Sequence, residues 1–192
     1  MREISNPLET QVSPQFTSKT FGSKPTLDQK ILIFENRELG WRFDIAKATE
    51  KIPHAGYAVI SILFAYFEMI GQYSTGFSSK NDPKVAFREG VSLVYPAIFT
   101  KDQLNTIYDR VRCGMFHNGY TKFGTLIRGD DTIALDIDKK NTVLVNPHKL
   151  RADLYMHFIQ YVAMLTNVTK TRERANFEKI FDADTNPPPQ KA

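Results

Sequence analysis

Apolar side chains recur at helical spacing over most of this chain, and the period changes once, after Gly119. From Leu27 to Ile52 the pattern is mixed. Ile31, Ile33, Leu39, Trp41, Phe43 and Ile45 alternate in part as a strand would, whereas the length of the segment and the run Ala46-Lys47-Ala48-Thr49-Glu50-Lys51 favour a helix. Pro53 ends it. Gly56 to Tyr73 is apolar almost all round, through Val59, Ile60, Ile62, Leu63, Phe64, Tyr66, Phe67, Met69 and Ile70, which predicts the buried central helix, with Gly71 and Gly76 marking its end. Asp82-Pro83 supplies an N-cap acceptor followed by proline at the first helical position. It opens a shorter helix that carries Val85, Phe87, Val91, Leu93 and Val94 and stops before Pro96.

Thr100-Lys101-Asp102-Gln103 fits a capping box, in which the threonine hydroxyl accepts from the Gln103 amide and the glutamine side chain returns the bond. The helix it starts runs to Gly119. Thr125-Leu126-Ile127, Thr132 to Ile137 and Thr142 to Val145 are then short β-branched runs, separated by Gly129-Asp130-Asp131 and Asp138-Lys139-Lys140-Asn141. They predict a small antiparallel meander at about 124–146. Asn146-Pro147 repeats the cap-plus-proline start, and Leu150, Leu154, Tyr155, Phe158, Ile159, Val162 and Leu165 predict a long amphipathic helix, followed by a charged one over Thr169–Phe181. Residues 1–25, rich in Ser, Thr, Gln and Pro, read as a flexible arm that docks without nucleating, and 183–192, with their proline run, as a disordered tail. The expected architecture is therefore mainly α: one helical domain over 26–182, with an antiparallel helical bundle and a β-insertion.

Composition narrows the function classes. The 192 residues are 42% hydrophobic and 24% charged, enough for one real core. A formal charge of +4, from 25 basic and 21 acidic residues, allows a local phosphate-attracting patch without demanding nucleic acid. Cys113 is the only cysteine, so an intrachain disulfide and a cysteine-based zinc cluster are both excluded, and a reducing cytoplasm is the natural setting. The first residues lack the apolar stretch of a signal peptide, and Glu68 and tyrosines interrupt the most apolar segment, so no membrane span is expected.

The informative stretch is Arg112-Cys113-Gly114-Met115-Phe116-His117-Asn118-Gly119, in the last two turns of the capped helix. Steps of about 100° place Leu104, Ile107, Tyr108, Val111 and Met115 in one core-facing stripe. Arg112 falls on its shoulder. Asp109, Cys113, Phe116 and His117 form a second face with the mixed character of a partner surface. On an ideal helix Arg112 and His117 lie about 140° apart, so the reach of the arginine, a frayed end at Gly119, or two copies of the helix meeting across a two-fold axis must bring the groups together. A cation near a helix C-terminus also meets the macrodipole favourably, by roughly 0.3–1 kcal/mol, which accounts for Arg110, Arg112 and His117 without any chemistry.

At these residues the chain resembles the HEPN superfamily, helical domains whose RxxxxH signature marks many RNA-cutting toxins and defence proteins. Arg112 and His117 stand at the signature positions, and the resemblance covers roughly Thr26 to Gly119, with an apolar helix, a shorter helix and the motif helix in the family's order. Two positions depart from the pattern: Cys113 follows the arginine where the family is often polar, and the tyrosine often found two places after the histidine is replaced by Tyr120, one position further on. The resemblance implies a homodimer and metal-independent endoribonuclease chemistry of toxin or phage-defence type, with Arg112 and His117 catalytic. Asn118 and Glu68 would support them, and Arg110, Tyr120 and Lys122 would bind substrate. The partners implied are RNA and an antitoxin or defence protein. The other reading is a non-catalytic RNA-, nucleotide- or protein-binding module of the same fold, and a third is a structural dimer.

The remaining signals are bland. Glu68 in an apolar helix must find a donor, and Arg112 could supply it. Cys113 reads as a small buried hydrophobe, and His54, after Pro53, as a cap or surface residue. His148 and His157 are nine apart, which is not metal-ligand spacing. No Walker loop, GxGxxG or GxSxG is present, so no cofactor is expected.

Overall fold

The computed structural model describes residues 10–80, 82–130 and 132–185. In chain order the helices are α1 (Leu27–Arg37), a π-helical stretch over Glu38–Phe43, α2 (Asp44–Thr49), α3 (Gly56–Thr75), α4 (Pro83–Val94), α5 (Lys101–Ile107), a second π-helical stretch over Tyr108–Cys113, and α6 (Gly114–Asn118). Strands β1 (Thr125–Ile127), β2 (Leu135–Ile137) and β3 (Val143–Val145) follow, then α7 (Pro147–Thr166) and α8 (Thr171–Thr185). The chain is thus mainly helical with a small three-stranded sheet. No described helix is long and apolar enough to cross a membrane.

The predicted start signals operate as read. Thr100 and Gln103 form the reciprocal capping box, Asp82 accepts from the Val85 amide, and the Asn146 side chain accepts from the amides of His148 and Lys149. Thr26 and Gln29 form a second capping box that opens α1, so Leu27–Thr49 resolves as helix rather than strand. Within it Phe34 and Phe43 are buried, and Trp41 and Ile45 face outward.

Helix α3 is the hub. Ile60, Leu63, Phe64, Tyr66, Phe67 and Ile70 are fully enclosed, and rings from α1, α4, α7 and α8 close around them: Phe34 against Phe158 and Phe177, Phe43 against Tyr66, and Phe87 against Phe64 and Phe67. Gly71 does not mark the end of this helix, which runs on to Thr75 and is capped by Gly76 at φ 71°. Its role is close approach. A Cβ on Gly71 would lie 1.9 Å from the Ala86 carbonyl oxygen, and one on Gly90 would lie 1.7 Å from that of Phe67, so two bare backbones let α3 and α4 cross in contact.

The expected antiparallel meander is corrected. The strand order is β1-β3-β2, with β1 parallel to β3 and only β2 antiparallel to it. Val143 and Val145 of β3 are fully buried, so β3 takes the centre and its neighbours flank it. Asp138 makes the β2–β3 turn by accepting from the amides of Lys140 and Thr142. The segment after β1 is too long for a tight hairpin and carries the chain across β3 to its far edge.

Residues 10–25 are packed rather than flexible. Ser13 is buried, Val12, Phe16 and Phe21 pack on the core, and Arg37 donates to the Val12 carbonyl at 2.6 Å. The remainder of the expected arm, 1–9, and most of the expected tail, 186–192, lie outside the described residues; 183–185 are helical rather than loose.

Tyr66 and His157 form a polar contact inside this apolar centre, 2.8 Å from hydroxyl oxygen to Nδ1. Burial pushes the tyrosine's pKa up and the imidazole's down, so the hydroxyl donates and a neutral Nδ1 accepts. The unfolded chain takes up the His157 proton at the ordinary imidazole value and the folded chain only below it. Stability is therefore full above that value and falls as pH drops through it toward the lower folded value. Urea midpoints compared at about pH 7.5 and about pH 5.5 are expected to differ more in the wild type than in His157→Gln; equal pH dependence in the two would refute the assignment.

Candidate functional site

The motif helix is α5, the second π-helical stretch and α6 taken together, and its core stripe is the one read from sequence: Leu104, Ile107, Val111 and Met115 are buried. Arg112 sits in the π-helical turn, where the wider i→i+5 winding takes in an extra residue. Its guanidinium turns back onto α3. Nε and Nη2 both donate to Glu68 Oε2, at 3.1 and 2.8 Å, and both side chains are largely buried, with relative exposures of 16% and 17%. The plane of Arg112 lies over the Phe116 ring, 4.3 Å from its centroid, and near that of Tyr108. A carboxylate on one edge and a ring on one face fix the plane. Nη1 donates no hydrogen bond among the described residues.

His117 is exposed, and no hydrogen bond joins it to Arg112 or to any other described residue. Asn118 is exposed beside it, and the helix ends in the left-handed cap Gly119 at φ 79°. One chain therefore brings together Arg112, Glu68 and Phe116 and leaves the imidazole open on the neighbouring surface.

The residues assigned to substrate binding part company. Arg110 is engaged inside the molecule, its Nη1 donating to the carbonyls of Gly124 (3.2 Å) and Asn141, which pins the sheet to the motif helix. Lys122 pairs with Asp109 at 2.6 Å on the exposed face, and Tyr120 is exposed. The loop carrying them folds back along the helix, with the Lys122 amide donating to the Arg110 carbonyl. Gly114 makes room: a Cβ there would meet Lys122 N at 2.8 Å and Tyr120 O at 2.9 Å. The glycine inside the motif thus sets where Tyr120 and Lys122 stand. Cys113 is half-buried rather than enclosed.

A second arginine–glutamate pair lies across α3 and was missed. Arg42 pairs with Glu38, donates to the Ile62 carbonyl at 2.9 Å and reaches Met69 Sδ at 3.8 Å. Trp41 is about half exposed beside it. The signal was present as the i,i+4 spacing of Glu38 and Arg42. Like Arg112, Arg42 sits in a π-helical stretch. Among the described residues no group of three His, Cys, Asp or Glu could hold a metal ion.

The chain matches no family model, no curated protein and no solved structure. Chemistry at the site must be argued from the side chains themselves.

Proposed function

We propose that the protein is a HEPN-like, metal-independent endoribonuclease of toxin or phage-defence kind, working as a homodimer in the cytoplasm with RNA as substrate. The observation that carries this reading is the clamped guanidinium: Glu68 and Phe116 hold Arg112 in one plane with Nη1 open, beside an unengaged imidazole at the end of the same helix. A planar donor fixed before substrate arrives suits a phosphoryl group whose oxygens gain charge during reaction.

In this reaction the ribose 2′-oxygen attacks the adjacent phosphorus, the bond to the 5′-oxygen breaks, and the products are a cyclic phosphate and a 5′-hydroxyl. One proton must leave the 2′-hydroxyl and one must reach the departing oxygen, which is work for imidazole. Two copies of the motif helix about a two-fold axis supply two His117 rings, one as base and one as acid. Exposed Phe116 and Tyr120, with Trp41 and Ile45 across α3, are the apolar groups such a dimer would cover. Asn118 and Lys122 stand where a bound strand would pass, and an antitoxin or defence protein would restrain activity by covering the same face.

One observation favours the second reading, a non-catalytic binding module: Glu68 already neutralises much of the Arg112 charge. Incubation of purified protein with mixed RNA in EDTA separates the two. The wild type is expected to release fragments ending in cyclic phosphate, and His117→Ala to lose about 10²–10⁴-fold in rate. A metal requirement, or equal cutting by the variant, would overturn the nuclease reading.

A further inference from the structure

A cleft of about 560 Å³ opens between the α2–α3 connection, the end of β1 and the first turn of α7. That volume suits a small organic ligand. On one side Glu50, with 9% side-chain exposure, has both oxygens engaged: Arg151 Nε donates to Oε1 at 2.7 Å, and His148 Nδ1 lies 3.2 Å from Oε2. A carboxylate on Nδ1 makes that nitrogen the donor and leaves Nε2 of the half-exposed His148 ring as the one presented outward. His54 shares the cleft from the opposite connection, on a left-handed backbone at φ 63°.

Charge accounting fixes the sign of the ligand. Glu50 is matched by Arg151, and Arg128 is matched by a two-pronged contact with Asp130 at 3.0 and 3.0 Å. Lys51 and the two imidazoles remain without an acidic counterpart among the described residues. The α7 amides cannot hold the anion, because Asn146 already caps those of His148 and Lys149, so side chains must do so. The rest of the wall is apolar and flat: Ile52 is 61% exposed and Tyr57 48%, an edge on which a planar ring can lie. Cationic and imidazole donors beside a bare tyrosine face match a phosphate attached to an aromatic base.

We propose that this cleft binds a free nucleoside monophosphate, with Lys51, His54 and His148 Nε2 around the phosphate and Tyr57 against the base. The same chemistry is offered by the 5′-phosphorylated end of an RNA strand, and the test separates the two. Titration of the full-length protein with AMP, followed by calorimetry and by the imidazole proton resonances, is expected to saturate with a Kd of about 1 mM or tighter and to move the signals of both His54 and His148. Lys51→Met and His148→Gln are each expected to weaken AMP roughly tenfold, the loss of one charge-assisted hydrogen bond. His54→Asn should do the same while keeping a residue that accepts the left-handed backbone. Tyr57→Ala should weaken AMP and leave inorganic phosphate unchanged, and Lys139→Ala, outside the cleft, should leave both unchanged. The proposal is overturned by no saturation, by adenosine binding as tightly as AMP, by binding of a 5′-phosphorylated oligonucleotide without AMP, or by AMP affinity indifferent to Lys51, His54 and His148.

Discussion

Gly90→Ala is expected to lower the unfolding free energy by about 3–5 kcal/mol, read as a shift of the urea midpoint. The added methyl would lie 1.7 Å from the Phe67 carbonyl oxygen, an atom of a helix backbone that cannot rotate aside. The only relief is to drive α4 away from α3, and that opens the contacts of Phe87 with Phe64 and Phe67 at the centre of the molecule. Against a typical total of about 5–15 kcal/mol the loss leaves little margin. Gly71→Ala should behave alike, since its methyl meets the Ala86 carbonyl at 1.9 Å. Gly129→Ala is the control. Its nearest neighbour is 4.0 Å away, and a change within roughly 0.5 kcal/mol is expected. A Gly90→Ala protein as stable as the wild type would mean that the two helices do not cross at this pair.

Arg112→Lys is expected to lose about 10²–10³-fold in RNA cleavage, measured as the single-turnover rate on a saturating substrate. Arginine can keep two nitrogens on Glu68 and turn a third to a phosphate. Lysine has one ammonium, and Glu68 will hold it. Glu68→Gln keeps a hydrogen-bond acceptor but removes the charge, so the guanidinium loses its anchor rather than its identity. A smaller loss, of about tenfold, is expected. If Arg112→Lys cuts at the wild-type rate, the planar fork is irrelevant and the nuclease reading falls. If both proteins bind RNA and neither cuts, the binding module is correct.

How much of this was legible in the sequence depended on the range of the interaction. Thr100 with Gln103, Asp82 with Pro83, and Asn146 with Pro147 were readable because a cap is made within four residues. The motif stripe was readable because Leu104, Ile107, Val111 and Met115 repeat within one helix. Gly71 was misread as a terminator: a glycine at a close crossing differs from a capping glycine only through a partner, Gly90, that lies on another helix. The sheet order failed for a related cause, since short strands carry too little alternation to say which edge of β3 takes β1. Docking of residues 10–25 was hidden by their polar composition, although Val12, Phe16 and Phe21 supply the anchors. At the site, Glu68 was found as the partner of Arg112 because an acid in an apolar helix needs a donor. Arg42 and Glu38 were passed over because nothing in their own segment points at α3.

The second π-helical stretch makes the motif sensitive to length in a way that a uniform helix would not be. Removing a single residue between Tyr108 and Cys113 would let the segment relax to ordinary winding without breaking it, yet everything beyond would swing by about 100°. Phe116 would leave the guanidinium, and His117 would present itself to a different quarter of the surface. A deletion scan through Asn105–Cys113 should therefore yield folded proteins with a misdirected imidazole, distinguishable from unfolded ones by normal helix content and altered solvent accessibility of His117.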